Sequence, residues 1–317
     1  MVRAAMEAIL NVALPIFALI ACGYIAGKIG VLGEDSTTAL NAFVWWFALP
    51  ALFFLSLARV KFDEIFNVPF LIAYGGAFVF TFFLSMVLAR LATGARLGEL
   101  SLHGIAAGFG NVGYMGIPLC ITAFGPEGAL PATIAAVFGS TVMMALSVVL
   151  VEIDLHAGSG LAKSLGKVVR AILRNPLLIA TALGLTVAYF QLPLPQPLTN
   201  FLDLIGKAAA PCALFAIGLF LVGKSLTTGL GEVSLAVLVK MVVQPAVAFG
   251  LAWVFLPHDS IWFKAAVLLA ALPTAANAFV LARQYHLFIA RASGIILVTT
   301  VLSVITLSGL LVLLKVG

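Results

Sequence analysis

Apolar runs, separated by short polar or Gly/Pro breaks, follow one another along the whole chain. They fall near residues 6–28, 37–59, 68–92, 101–124 and 129–152, then 176–192, 198–223, 232–256, 261–284 and 290–315. A helix that crosses a bilayer needs roughly 20 apolar residues, so the pattern predicts ten transmembrane helices and little else. The sixth run is the shortest. It lies between Asn175-Pro176 and the stiff turn Pro193-Leu194-Pro195-Gln196-Pro197, where proline cannot continue a helix.

The one long polar link, 153–175, is itself amphipathic. Lys163, Lys167, Arg170 and Arg174 share one face, and Leu161, Leu165, Val168, Val169, Ile172 and Leu173 the other. This is the pattern of an interfacial helix against anionic headgroups, serving as a topology anchor or in regulation. The predicted organisation is 1–152 as a first five-helix unit, 153–175 as a cytoplasmic link and 176–317 as a second unit.

The two units resemble each other. Pro50-Ala51-Leu52-Phe53-Phe54 can be laid on Pro211-Cys212-Ala213-Leu214-Phe215 at an offset of 161 residues. The same offset sets the fourth span, with Asn111 and Pro118, loosely on the ninth, with Pro273 and Asn277. A repeat with an odd number of spans must cross the membrane in opposite senses. Inverted repeats of that kind are characteristic of secondary transporters.

Two spans cannot be regular helices. Gly108-Phe109-Gly110-Asn111-Val112-Gly113-Tyr114-Met115-Gly116-Ile117-Pro118 interrupts the fourth, and Leu272-Pro273-Thr274-Ala275-Ala276-Asn277 the ninth. Glycine costs about 1 kcal/mol and proline about 3 kcal/mol in a helix interior. Irregular backbone at membrane depth is tolerated only where protein or water surrounds it. The expected arrangement is a mid-membrane crossing of two broken helices. Half-helix N-termini there favour an anion, and C-termini a cation. Gly108-x-Gly110-x-x-Gly113 also fits the dinucleotide fingerprint, but no βαβ unit surrounds it.

Composition agrees with this picture. The chain has 317 residues, 63% hydrophobic and 9% charged, against about 25% charged in soluble domains. That leaves too little polar surface for a water-soluble globule. The net charge of +5 does not signal nucleic acid, because the bases sit at span ends. Links after odd-numbered spans hold Lys28, Arg90, Arg96, Lys163, Lys167, Arg170, Arg174, Lys224, Arg283 and Arg291. The opposite side holds Arg3, Arg59, Lys61, Lys264 and Lys315. The excess places odd-numbered links in the cytoplasm and both termini outside it. Cys22, Cys120 and Cys212 lie inside apolar runs with no metal-ligand spacing. Leu19-Ile20-Ala21-Cys22 looks like a lipoprotein cleavage box, but the long run around it reads better as a first transmembrane helix.

Polar residues inside the spans are the candidate chemistry. Lys240 either meets a substrate carboxylate or snorkels to the interface, and Gln244 lies one turn further along the same face. Asp203 and Lys207, four residues apart, are expected to pair. Asn41, Asn111, Ser140 and Thr141 are candidate oxygen donors to a cation, although hydroxyls more often bond their own helix. No embedded acid pair or histidine chain forms a proton relay. No His-Glu-x-x-His, Gly-x-Ser-x-Gly or acidic pair suggests an enzyme.

The run Gly110 to Leu119, the Pro50-Ala51-Leu52-Phe53 of span two, and Pro273 with Asn277 through Arg283-Gln284-Tyr285 resemble the auxin efflux carrier family. That family includes PIN-type carriers and bacterial malonate-type permeases. The chain lacks the long cytosolic loop of the larger plant carriers, so it looks like a bacterial-type member. The resemblance implies an all-α polytopic membrane protein with two inverted five-helix repeats and crossing broken helices, related to bile-acid symporters and sodium/proton antiporters. It also implies carboxylate substrates and elevator-like alternating access.

The expected function is secondary transport of a small organic carboxylate in a bacterial inner membrane. The alternative is an anion channel or a ligand-binding membrane receptor. Expected substrate-binding residues are Asn111, Gly113, Pro118, Lys240, Gln244, Pro273, Thr274 and Asn277. No metal or cofactor is expected, with sodium or a proton as candidate coupling ion. The expected partners are the organic anion and the lipid bilayer, with a homodimer left open.

Overall fold

In the computed structural model, residues 12, 14–60, 62, 67–155, 174, 176–223 and 229–314 are described. Among them the secondary structure is helical, and the one β-type feature is an isolated bridge. The amphipathic stretch expected over 161–174 lies outside the described residues, Arg174 excepted.

Six helices among the described residues are long and apolar enough to cross a membrane: α2 (Asp35–Ala58), α3 (Val68–Thr93), α5 (Pro126–Leu155), α7 (Gln196–Leu221), α8 (Leu230–Phe255) and α10 (Ile289–Leu313). The remaining expected spans give shorter pieces. These are α1 (Leu14–Lys28) and α6 (Pro176–Phe190), and two helices that are each in two parts: α4a (Leu97–Gly108) with α4b (Val112–Phe124), and α9a (Ile261–Ala270) with α9b (Asn277–Gln284). The two parted helices are the Gly/Pro-interrupted spans of the sequence.

Proline shapes several of the others. Wide π turns occupy Val44–Ala48 in α2, Val112–Gly116 in α4b and Val239–Val243 in α8. Each is followed at once by Leu49-Pro50, Ile117-Pro118 or Gln244-Pro245. Proline brings no N–H, and its ring presses on the carbonyl one turn earlier. A widened turn relieves that pressure without ending the helix.

The helices pack as two groups. In the first, α1 lies along α7 and α6 along α2. Both seams close on bare backbone. A Cβ on Gly23 would collide with the Phe215 carbonyl, and one on Gly184 would stand 2.9 Å from the Phe54 carbonyl oxygen. Close approach of this kind is how small residues let membrane helices gain van der Waals contact. Gly23 and Gly184, like Phe54 and Phe215, are separated by the offset that relates Pro50 to Pro211.

In the second group, α4a is held between α3 and α5, and α8 packs on α3 and α9a. Polar ties close one end of it. The Arg291 guanidinium contacts Glu232 at 2.6 Å and Glu99 at 3.6 Å, and stands 4.7 Å over the Phe288 ring. The Tyr285 hydroxyl donates to Glu152 at 3.0 Å, and Ser85 Oγ lies 2.7 Å from His103 Nδ1.

The expected Asp203–Lys207 pair is not what forms. Asp203 takes both forks of Arg59, at 3.1 and 2.7 Å. The C-terminal end of α2 runs beside the start of α7, and a planar guanidinium matches a carboxylate better than a lysine four residues along the same helix.

Candidate functional site

The breaks in α4 and α9 meet. Helix α4a stops at Gly108, Phe109 and Asn111 leave helical geometry, and the chain restarts at Val112. Helix α9a stops at Ala270 and α9b starts at Asn277. Between them Gly110 and Thr274 form an antiparallel bridge. The Asn111 N–H donates to the Pro273 carbonyl at 2.8 Å, and the Ala275 N–H to the Phe109 carbonyl at 2.9 Å. Backbone groups freed by each break are thereby paired by the other, which avoids a cost of several kcal/mol per unpaired group in lipid.

Gly110 eases the close approach at this point. A Cβ there would lie 3.2 Å from the Leu269 carbonyl oxygen and 3.4 Å from Lys240 Nζ. Thr274 is a brace. It is buried, its Oγ1 donates to the Ala106 carbonyl at 2.7 Å, and its N–H donates to Thr299 Oγ1 of α10 at 3.1 Å.

Two half-helix C-termini, Gly108 and Ala270, arrive on one side of the bridge. Lys240 and Gln244, both fully buried in α8, cover them. Lys240 Nζ donates to the Ala270 carbonyl at 2.9 Å and to Gln244 Oε1, while Gln244 Nε2 donates to the Gly108 carbonyl at 2.8 Å. Lys240 therefore does not snorkel.

The half-helix N-termini open on a cleft. Asn41, Asn111, Tyr114, Ala216, Ile217, Phe220, Ala276, Ile296 and Thr300 line it. It lies where α2 and α7 of the first group face α4b, α9b and α10 of the second. Asn111 is 8% exposed, and neither its side-chain amide nor that of Asn41 forms a hydrogen bond among the described residues. An amide so deeply buried is expected to have a partner. Here it faces the cavity.

Of the sequence-derived candidates, Asn41 and Asn111 line the cleft. Asn277, at the start of α9b, follows the lining residue Ala276, and Gly113 follows Asn111 by two residues. Pro118 and Pro273 are buried and shape the breaks. Lys240, Gln244 and Thr274 form the frame behind the cleft. Ser140 Oγ donates to the Ala136 carbonyl of its own helix at 2.7 Å, and Thr141 Oγ1 is buried without a partner among the described residues. Neither lines the cleft. Tyr114, Phe220, Ile296 and Thr300 are lining residues that the sequence reading passed over. Only Thr299-Thr300, a polar pair inside the apolar α10, gave a sign. Among the described residues no group of His, Cys, Asp or Glu could hold a metal.

The family model described as "Membrane transport protein" matches residues 8–311. The chain belongs to this membrane transport protein family. Its members include the auxin efflux carriers. The "Putative malonate transporter" of Rhizobium meliloti (strain 1021) is 33% identical over 98% of both chains. An "Uncharacterized transporter" of Methanothermobacter thermautotrophicus is 30% identical over 93% of this chain and 94% of that one. "Auxin efflux carrier component 8" of Arabidopsis thaliana is 31% identical over 40% of this chain and 36% of its own. As a member of the membrane transport protein family, the chain is an integral membrane transporter with a small-molecule substrate.

Proposed function

We propose that the chain is a secondary transporter for a small organic carboxylate, bound in the cleft between Asn41 and Asn111. The observation that carries this reading is the sorting of helix ends at the Gly110–Thr274 bridge. The two C-termini are sealed by Lys240 and Gln244, while the two N-termini face an open cavity beside an uncommitted buried amide. Each N-terminus is worth about half a positive charge, and an anion is the guest such a cavity holds best. Asn111 donates to one carboxylate oxygen. Asn41 and Thr300 complete the polar contacts, and Phe220, Ile217 and Ile296 pack against the carbon skeleton. Asn277, at the mouth of α9b, contacts larger substrates. The malonate assignment of the Rhizobium relative supports a short carboxylate.

The chain is read as ten spans in two inverted five-helix repeats, with both termini outside the cytoplasm. The equivalent closures of Gly23 on Phe215 and Gly184 on Phe54 support that reading. Alternating access then comes from movement of the α3–α4–α5–α8–α9–α10 group against α1, α2, α6 and α7, in the manner of an elevator, because the cleft lies between the two groups.

The test is counterflow of labelled malonate, and of other short carboxylates, in proteoliposomes. Saturable, counterflow-competent uptake is expected. Unsaturable flux points instead to a channel, and binding without flux to a receptor.

A further inference from the structure

We propose that the cleft takes its substrate as a monoanion, so that a short dicarboxylate such as malonate crosses with its second carboxyl protonated. The proposal rests on the carboxylate reading above and fixes the charge of the guest.

The charge count at the cleft decides this. The half-helix N-termini at Val112 and Asn277 together supply about one positive equivalent. Among the described residues none that lines the cleft carries a charge. Lys240 stands behind the bridge, on the Ala270 carbonyl and Gln244. The charged residues of the surrounding helices lie away from the cleft. Measured along their helices, Asp35 is about 9 Å from Asn41, Lys207 about 15 Å from Ile217 and Arg283 about 10 Å from Ala276, and all three are exposed. Arg59 and Asp203 pair with each other. Arg291, about 14 Å from Thr300 along α10, is committed to Glu232 and Glu99. Helix α4b holds no Asp, Glu, Lys, Arg or His.

One carboxylate therefore matches the site and a second does not. An ionised carboxylate buried without a counter-charge is so unfavourable that the group takes up a proton instead. The protonated group has an O–H to donate and an oxygen to accept. Asn41, Tyr114 and Thr300 suit it, because an amide and two hydroxyls can each act as donor and as acceptor. The second carboxylate takes its proton from water before entry and returns it to water after release, so no side chain changes protonation state. That agrees with spans that hold no acid pair or histidine chain to relay a proton.

The experiment is uptake of labelled malonate by the full chain in proteoliposomes, from about pH 6 to about pH 8 with the same pH on both sides, against three unlabelled competitors. Malonate itself changes charge over this range. Malonamate, its monoamide, carries one charge throughout, and sulfoacetate carries two. Once the dianion dominates, the inhibition constant of total malonate is expected to rise about tenfold per pH unit. That of malonamate should hold steady, and sulfoacetate should compete far more weakly than malonate at the acid end. A malonate constant that does not change with pH, a malonamate constant that rises in parallel with it, or sulfoacetate competing as well as malonate would each overturn the proposal. Any of these leaves the carboxylate reading in place. Absence of malonate uptake together with absence of malonamate binding instead removes that reading, and this proposal with it.

Discussion

The backbone N–H of Asn111 donates to the carbonyl of Pro273 at 2.8 Å, and with its partner bond it is the joint at which two interrupted helices support each other. The same residue turns its side chain into the cleft. Its two functions can be separated, because the structural one uses only main-chain atoms.

Asn111→Ala is therefore expected to fold and melt like wild type while losing transport. A hydrogen bond to a charged group is worth about 1.5–3 kcal/mol, or about 10- to 150-fold in affinity. Counterflow across a range of malonate concentrations measures this. Full activity in the variant would remove Asn111 from the site.

Gly110→Ala should do the reverse. The added methyl meets the Leu269 carbonyl oxygen at 3.2 Å, on a bridge that cannot shift without breaking its hydrogen bonds. Overpacking costs about 1–3 kcal/mol. A lower melting temperature in detergent is expected, with any folded fraction still binding substrate.

Gly23→Ala and Gly184→Ala probe the two glycine seams. Each puts a methyl against a carbonyl of the facing helix, Phe215 or Phe54. Both should destabilise by about 1–3 kcal/mol, as read by thermal melting. Equal effects would support equivalent seams, whereas a neutral result at either site would contradict the packing described.

The two arginine pairs should differ. Arg59 and Asp203 are exposed, with side-chain exposures of 51% and 37%, and Arg59→Gln should cost less than about 1 kcal/mol. Arg291 is 23% exposed, reaches two acids and covers the Phe288 ring. Its loss leaves partly buried carboxylates, so Arg291→Gln should cost more, about 1–3 kcal/mol. Paired melting curves test the ranking.

Local chemistry made much of this legible in the sequence. Gly108 to Pro118 and Pro273 to Asn277 cannot form regular helix, and both breaks occur where expected. Asn111 stood out because an amide at membrane depth needs a reason. Partners far apart in the chain were not legible. Nothing near Lys240 announces the carbonyl of Ala270, and nothing near Asp203 announces Arg59. The apolar side of the cleft, Ile217, Phe220 and Ile296, was hidden for another reason. In a lipid-facing chain an apolar residue looks the same whether it meets lipid, a neighbour or a ligand.

The π turn Val239–Val243 holds one residue more than a regular turn would. It therefore takes up one residue, about 100° of α-helix rotation, within a single turn and keeps the helix faces on either side of it in phase. Deleting one residue within it would restore an ordinary turn with little change of direction. The same deletion in the regular helix after Gln244 would rotate Lys240 and Gln244 together by about 100° relative to the rest of α8, so a length error there should be the harsher one.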